Sequence, residues 1–152
     1  MSICLIDTTV FCNIVGIPGR DQDRSRILRL LEEHIQDGTA LLLPMAAIIE
    51  SGNHVARSGD GSQRRQTAKR FVKHVLAAIN GMAPWVATPF FEQDELRKWL
   101  ACFPDHAMKG VGLADLSIIQ EFARQCRQFP ARRVFIWSLD KHLGGYNRPA
   151  KT

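Results

Sequence analysis

Short apolar runs alternate along this chain with longer segments in which apolar residues recur at helical spacing, and that alternation restricts the fold more than any other feature. Residues 3–6 (Ile-Cys-Leu-Ile) are apolar and run into Asp7-Thr8-Thr9, which suits a buried strand carrying a carboxylate at its C-terminal end. Residues 21–36 read as a helix whose apolar positions Ile27, Leu28, Leu30, Leu31 and Ile35 recur at helical spacing, closed by Asp37-Gly38. Residues 39–43 form a second short strand, and Pro44 is placed as the first residue of a helix running through Ile48, Ile49 and Glu50. Residues 57–66 are the best loop candidate. A helix over about 63–80 follows, with Ala68, Phe71, Val72, Val75, Leu76 and Ile79 apolar, and Gly81 and Pro84 end it. After a short run at 85–88 come helices at 92–102 and 113–127, the second with Leu116, Ile119, Phe122, Ala123 and Cys126 inward, and then the strand 133–138.

Alternation of strands and helices implies a mainly parallel sheet joined by right-handed crossovers, so the pattern predicts an α/β fold: a three-layer α/β/α sandwich with a mainly parallel central sheet. At 152 residues the chain reads as a single domain over residues 1–152, large enough to bury a core without staples. Ligands in such sheets bind beyond the C-terminal strand ends, at a switch in strand order. Asp7 and Asp140 both fall just past predicted strands and can meet at that edge.

Four carboxylates stand where an apolar element ends or begins: Asp7, Glu50, Asp115 and Asp140. Glu50 follows Met45-Ala46-Ala47-Ile48-Ile49, and Asp115 precedes Leu116-Ser117-Ile118-Ile119, so each interrupts a segment suited to burial. Taken singly each has an ordinary explanation. Asp7 could be a helix N-cap with Thr8 and Thr9 as turn residues, Glu50 an exposed helix residue, Asp115 a partner of a helix dipole and Asp140 a loop acid beside Lys141. Taken together they form a cluster that repels itself unless a cation compensates it. Hard divalent ions, Mg²⁺ or Mn²⁺, prefer such oxygen ligands and would ionise a water for attack on phosphorus.

Other chemistries have less support. Cys4, Cys12, Cys102 and Cys126 form no paired metal-ligand spacing, and His34, His54, His74, His106 and His142 form no zinc motif, although His54 and Asn53 lie close enough to Glu50 to reach a site there. The N-terminus lacks a basic region, and Asp7 breaks its apolar run too soon for a signal peptide or membrane span, so a cytoplasmic protein is expected. A haloacid-dehalogenase-like phosphatase needs a second aspartate where Thr9 stands, and a response-regulator receiver needs adjacent acids where Ile6-Asp7-Thr8 supplies one.

Across nearly its whole length the chain resembles the PIN-domain family. Residues 3–10 (Ile-Cys-Leu-Ile-Asp-Thr-Thr-Val) resemble its opening strand and first acid, and residues 43–50, ending in Glu50, the segment with the second. Leu113-Ala114-Asp115-Leu116-Ser117 resembles the third, and Val134-Phe135-Ile136-Trp137-Ser138-Leu139-Asp140 the closing strand, hydroxyl and fourth acid. The nearest in style are VapC-like toxin ribonucleases of bacterial toxin-antitoxin pairs. The resemblance implies Mg²⁺- or Mn²⁺-dependent cleavage of single-stranded RNA, with Asp7, Glu50, Asp115 and Asp140 as metal ligands and Thr8 and Ser138 orienting carboxylates or waters. It also implies a homodimer and a cognate antitoxin as partners. The aromatic-rich stretch 85–110 departs from a minimal toxin, which makes the nuclease chemistry firmer than the toxin role.

The formal charge of +5 favours a polyanionic partner only weakly. More specific is the cluster Arg57, Arg64, Arg65, Lys69, Arg70 and Lys73, in which Arg65, Lys69 and Lys73 recur at i to i+4 steps. Arg64, Arg65, Lys69 and Lys73 are thus candidates to track an RNA backbone, and a solvated helix face explains them equally well. The competing functional class is a non-catalytic PIN-like module that binds RNA or a protein, because fold alone does not establish chemistry.

Overall fold

Four buried residues, Ile3–Ile6, form β1 and lead straight into a helix, α1 (Thr8–Val15), in the computed structural model, which describes residues 1–152. Then follow α2 (Arg24–Gln36), β2 (Ala40–Leu43), α3 (Met45–Ala56), α4 (Gly61–Ile79) and β3 (Trp85–Ala87). The chain continues through α5 (Gln93–Met108), α6 (Leu113–Gln128), β4 (Val134–Trp137), α7 (Lys141–Gly144) and β5 (Asn147–Arg148). The strand order is β3-β2-β1-β4-β5, with β1 parallel to β2 and β4, β2 parallel to β3, and only β5 antiparallel. The protein is therefore α/β, with a mixed and mainly parallel sheet flanked by seven helices.

Every residue of β1 and β4 is buried, so both faces of the sheet centre are covered. Their side chains belong to one contiguous core that also takes in α1, α2, α3 and α6. From β1 the chain builds outward to β2 and β3 and then returns to the other side of β1 as β4. The switch in strand order lies between β1 and β4, and their C-terminal ends carry Asp7 and the segment Ser138 to Asp140.

Several elements differ from the sequence expectation for physical reasons. Asp7 is a helix N-cap, as one reading of the sequence has it, its side chain accepting from Thr9 N, but Thr8 and Thr9 are not turn residues; they open α1, whose residues are nearly all buried. An eight-residue helix buried on nearly every side, with polar Thr8 and Asn13 among its buried residues, shows no contrast between an apolar and a solvated face to announce it. Gly16, with φ of 77°, ends it in the left-handed conformation. The second helix begins at Arg24 rather than at 21, because Asn13 Oδ1 accepts the Asp23 N–H at 3.0 Å and holds the turn before it. The loop proposed over 57–66 is shorter than expected: Asp60 caps α4, its carboxylate accepting from Gln63 N at 2.9 Å while Gln63 Oε1 accepts from Asp60 N at 3.1 Å.

On α4 itself the apolar positions Val72, Leu76 and Ile79 are exposed. The helix lies against α3 and β3 along a narrow side that buries Thr67 and Ala78 instead. The helix expected to stop at residue 102 continues through Pro104 to Met108. Proline there removes the donor for the Leu100 carbonyl, and Leu100 is exposed, so water can replace that bond. β5 had no periodic signal at all, being two residues long.

Candidate active site

Asp7 ends β1 and its backbone N–H donates to Trp137 O at 3.0 Å, so the last rung between β1 and β4 places it at the switch point. The residue is only 2% exposed. Three donors reach its Oδ2: Ser138 Oγ at 2.7 Å, Thr9 Oγ1 at 2.9 Å and, more distantly, Thr9 N at 3.4 Å. The two hydroxyls are themselves oriented by backbone donors, Leu139 N to Thr9 Oγ1 and Asp140 N to Ser138 Oγ, both at 3.0 Å. Both hydroxyl protons are thereby committed to Asp7, and the 3.3 Å approach of Thr9 Oγ1 to Ser138 Oγ is only a contact. Asp7 Oδ1 receives no hydrogen bond from the protein and is not sealed off, so it looks into the adjoining cavity.

Glu50 arrives from α3, which packs against both α1 and α6. The Thr8 hydroxyl donates to its Oε2 at 3.1 Å, which leaves Oε1 unbonded. Asp115 lies in the first turn of α6 and accepts no hydrogen bond. Burial, reinforced by the charges of Asp7, Glu50 and Asp140 and slightly offset by His142, pushes its carboxyl up to about 6. Asp140 is exposed and caps α7, its Oδ1 accepting from His142 N at 2.8 Å.

Asp7, Thr8, Glu50, Asp115 and Asp140 all line one cavity of about 440 Å³. Thr9, Cys12, Asn13, Arg20, Asp23 and His54 line it too. Ser138 stands behind Asp7, outside the lining. Arg64, Arg65, Lys69 and Lys73 stay exposed on α4 and none of them lines this cavity. Arg64 instead donates to Ser58 O and Gly59 O at 3.0–3.2 Å in the turn after α3, and neighbouring Arg70 donates to Val15 O and Gly16 O at the end of α1. The cation at the cavity is Arg20, which sequence reasoning missed because its loop follows the unrecognised helix α1. Asn13 ties that loop down by donating to Thr9 O at 2.9 Å while accepting from Asp23 N. His54 does reach the cavity, as its spacing from Glu50 allowed, whereas Asn53 turns to a neighbouring groove. Burial and then Arg20 lower the His54 pKa, against the opposing pull of Glu50, so its imidazole is neutral near pH 7.

The lining holds five carboxylates, Asp7, Asp23, Glu50, Asp115 and Asp140, against one guanidinium, while the whole chain carries +5. The cavity is thus opposite in sign to the protein around it. No three His, Cys, Asp or Glu side chains are arranged to enclose an ion by themselves. A magnesium-like ion does not need such a cage, since it is held by one or two carboxylates and completes its shell with water and phosphate oxygens. The free Oδ1 of Asp7 and free Oε1 of Glu50 fit that role. Cys12 does not compete as a soft ligand or nucleophile, because burial pushes its thiol up to about 11.

Fold and cavity together define an α/β protein with an acidic cleft at the topological switch of a mainly parallel sheet. No family model matches the chain, and no curated protein matches it. No helix is long and apolar enough to cross a membrane.

Proposed function

We propose that this protein is a PIN-like endoribonuclease that cleaves single-stranded RNA with the help of Mg²⁺ or Mn²⁺. One observation carries the proposal: a carboxylate that is 2% exposed, Asp7, keeps one oxygen free toward a cavity that four further acids share. An unpaired buried carboxylate costs several kcal/mol by an order-of-magnitude estimate unless a cation meets it. Phosphate would be repelled by the same charges, so a polyanionic substrate also needs that cation.

A divalent ion bound there would acidify a water and neutralise charge on the attacked phosphate. The protein's own part is orientation. Ser138 and Thr9 lock one oxygen of Asp7 so that the other points outward, and Thr8 does the same for Glu50. Asp115 and Asp140 line the same cavity, and Arg20 offers its one guanidinium to a phosphate oxygen. The test is cleavage of a short single-stranded oligoribonucleotide in Mn²⁺ and in chelator. Cleavage should require the metal and fall by at least about a hundredfold in Asp115→Asn, a larger loss than outer-shell substitutions typically cause. Cleavage undiminished by chelator overturns the proposal.

A VapC-like toxin role extends the same proposal. Expression of the wild type should then arrest growth, expression of Asp7→Asn should not, and a small antitoxin should bind the chain. The second reading, a non-catalytic PIN-like module, draws on the absence of any ready-made three-ligand group. It predicts equal RNA or partner binding with and without metal, and no product.

A further inference from the structure

Beside the acidic cavity lies a second concavity of about 370 Å³, walled by α3, α6 and the aromatic segment that opens α5. Ile49, Leu96, Leu113, Phe91 and Trp99 make it apolar, and its one charged lining residue is Glu50, which also lines the acidic cavity. The two hollows therefore meet at Glu50. α6 is their shared wall: Asp115 faces one, while Leu113, Ala114 and Ser117 face the other. Phe91 packs on Trp99 with ring centroids 4.8 Å apart, which stiffens the far side.

Two features mark the groove as more than leftover surface. Ile49 and Leu113 are 48% and 37% exposed, and both exposed side chains are turned into the same hollow. Scattered apolar residues on a surface are ordinary, but a group of them lining one concavity leaves apolar area wet until something fills it. The size falls in the range of about 300–1,000 Å³ usual for small-ligand sites. At the rim the Asn53 side-chain amide makes no hydrogen bond within the protein. Ser117 Oγ donates to Ala114 O at 2.7 Å and keeps its lone pairs. An amide can pair with a base edge through a donor and an acceptor at once.

We infer that this groove receives an unstacked nucleobase of the RNA strand whose phosphate lies at the acidic cavity, and the inference rests on the nuclease proposal for the position of that phosphate. The ligand must place an anionic centre at the acids and a flat, uncharged, apolar-faced group past Glu50. A nucleotide joins those two groups covalently. No cation lines the groove, so the phosphate does not belong there. Single-stranded RNA is read mainly through splayed bases laid against apolar and aromatic side chains, and this pocket has that character. The aromatic-rich stretch 85–110 then has a use: Phe91, Leu96 and Trp99 come from it.

The test compares a short single-stranded oligoribonucleotide with an abasic ribose-phosphate strand of the same length, binding being measured in Ca²⁺ and cleavage in Mn²⁺. The wild type should bind the intact strand on the order of tenfold more tightly than the abasic one. Ile49→Ser should narrow that ratio and Ile49→Ser/Leu113→Ser should bring it close to one, with abasic-strand affinity unchanged. The single variant lies at an exposed side chain and tests the groove even if the double variant fails to fold. A ratio unchanged by Ile49→Ser, or near one in the wild type, overturns the inference; if cleavage persists, the nuclease proposal stands without it. A ratio lost in the variants with no cleavage by the wild type supports the groove and overturns the nuclease proposal.

Discussion

Ser138 and Asp7 are 131 residues apart in the chain, and the Ser138 hydroxyl donates to Asp7 Oδ2 at 2.7 Å. This bond joins the C-terminal ends of β1 and β4, and it decides which Asp7 oxygen remains free. A second such bond, from Thr8 to Glu50, spans 42 residues at 3.1 Å. Two carboxylates on different elements are thus oriented by hydroxyls rather than by cations, which leaves their charge uncompensated and available.

Removing that orientation should weaken metal binding more than it weakens the fold. Ser138→Ala leaves Thr9 as a donor to Asp7, so the stability loss should be about 1 kcal/mol. Mn²⁺ affinity should fall roughly 10- to 100-fold, the range typical of partners that orient a metal ligand. Calorimetric titration of Mn²⁺ into both proteins checks this, and equal affinities would refute it.

Metal should stabilise the protein through Asp7. Mn²⁺ at 100 times its Kd should add about 2.7 kcal/mol to the wild type and raise its Tm. Asp7→Asn keeps a carbonyl oxygen to accept from Ser138 and Thr9, so it should fold, but its Tm should not respond to Mn²⁺. A thermal denaturation series with and without Mn²⁺ reads the difference.

The metal-free protein should lose stability as pH rises through the titration of Asp115. Its carboxyl is ordinarily near 3.8 and is pushed up to about 6 in the folded chain, so the native state binds more protons over that interval. Stability contributed by the protonated form is complete below about pH 4 and is lost by about pH 6. The loss should be about 1–2 kcal/mol after allowing for partial solvent screening. Asp115→Asn should remove this slope. Urea unfolding in chelator from pH 4 to 7 gives the answer, and parallel slopes for the two proteins would contradict the assignment.

The α4 cations should act on affinity and not on chemistry, since none of them lines the cavity. Lys69→Ala/Lys73→Ala should weaken RNA binding about equally for all sequences and flatten its salt dependence, by roughly 0.7 in the log–log slope for each phosphate no longer neutralised. Cleavage at saturating RNA should be unchanged. An unaltered salt slope would make these lysines a solvated helix face.

Legibility varied with the kind of signal each residue offered. The four acids could be picked out because each terminates or opens an apolar run, a contrast visible within a few residues. Thr8 and Ser138 could be assigned an orienting role only through the family resemblance, and the geometry gives each a carboxylate to hold. Arg20 was invisible: nothing in the turn Pro18-Gly19-Arg20 distinguishes a cavity residue from a surface one. The apolar positions Val72, Leu76 and Ile79 of α4 are exposed, because an apolar stripe states only that burial is possible.

Local spacing along the chain was enough to establish most of the succession of strands and helices, α1, α7 and β5 excepted, the mainly parallel sheet it implies, and the placement of carboxylates at element ends. Those properties depend on residues within a turn or two of each other. Whether Asp7, Glu50, Asp115 and Asp140 share a cavity, which oxygen of Asp7 stays open, and that the basic stripe on α4 lies outside it were settled only by how the helices pack on the sheet. Distances between residues 42 or 131 positions apart come from that packing, and no short-range pattern encodes them.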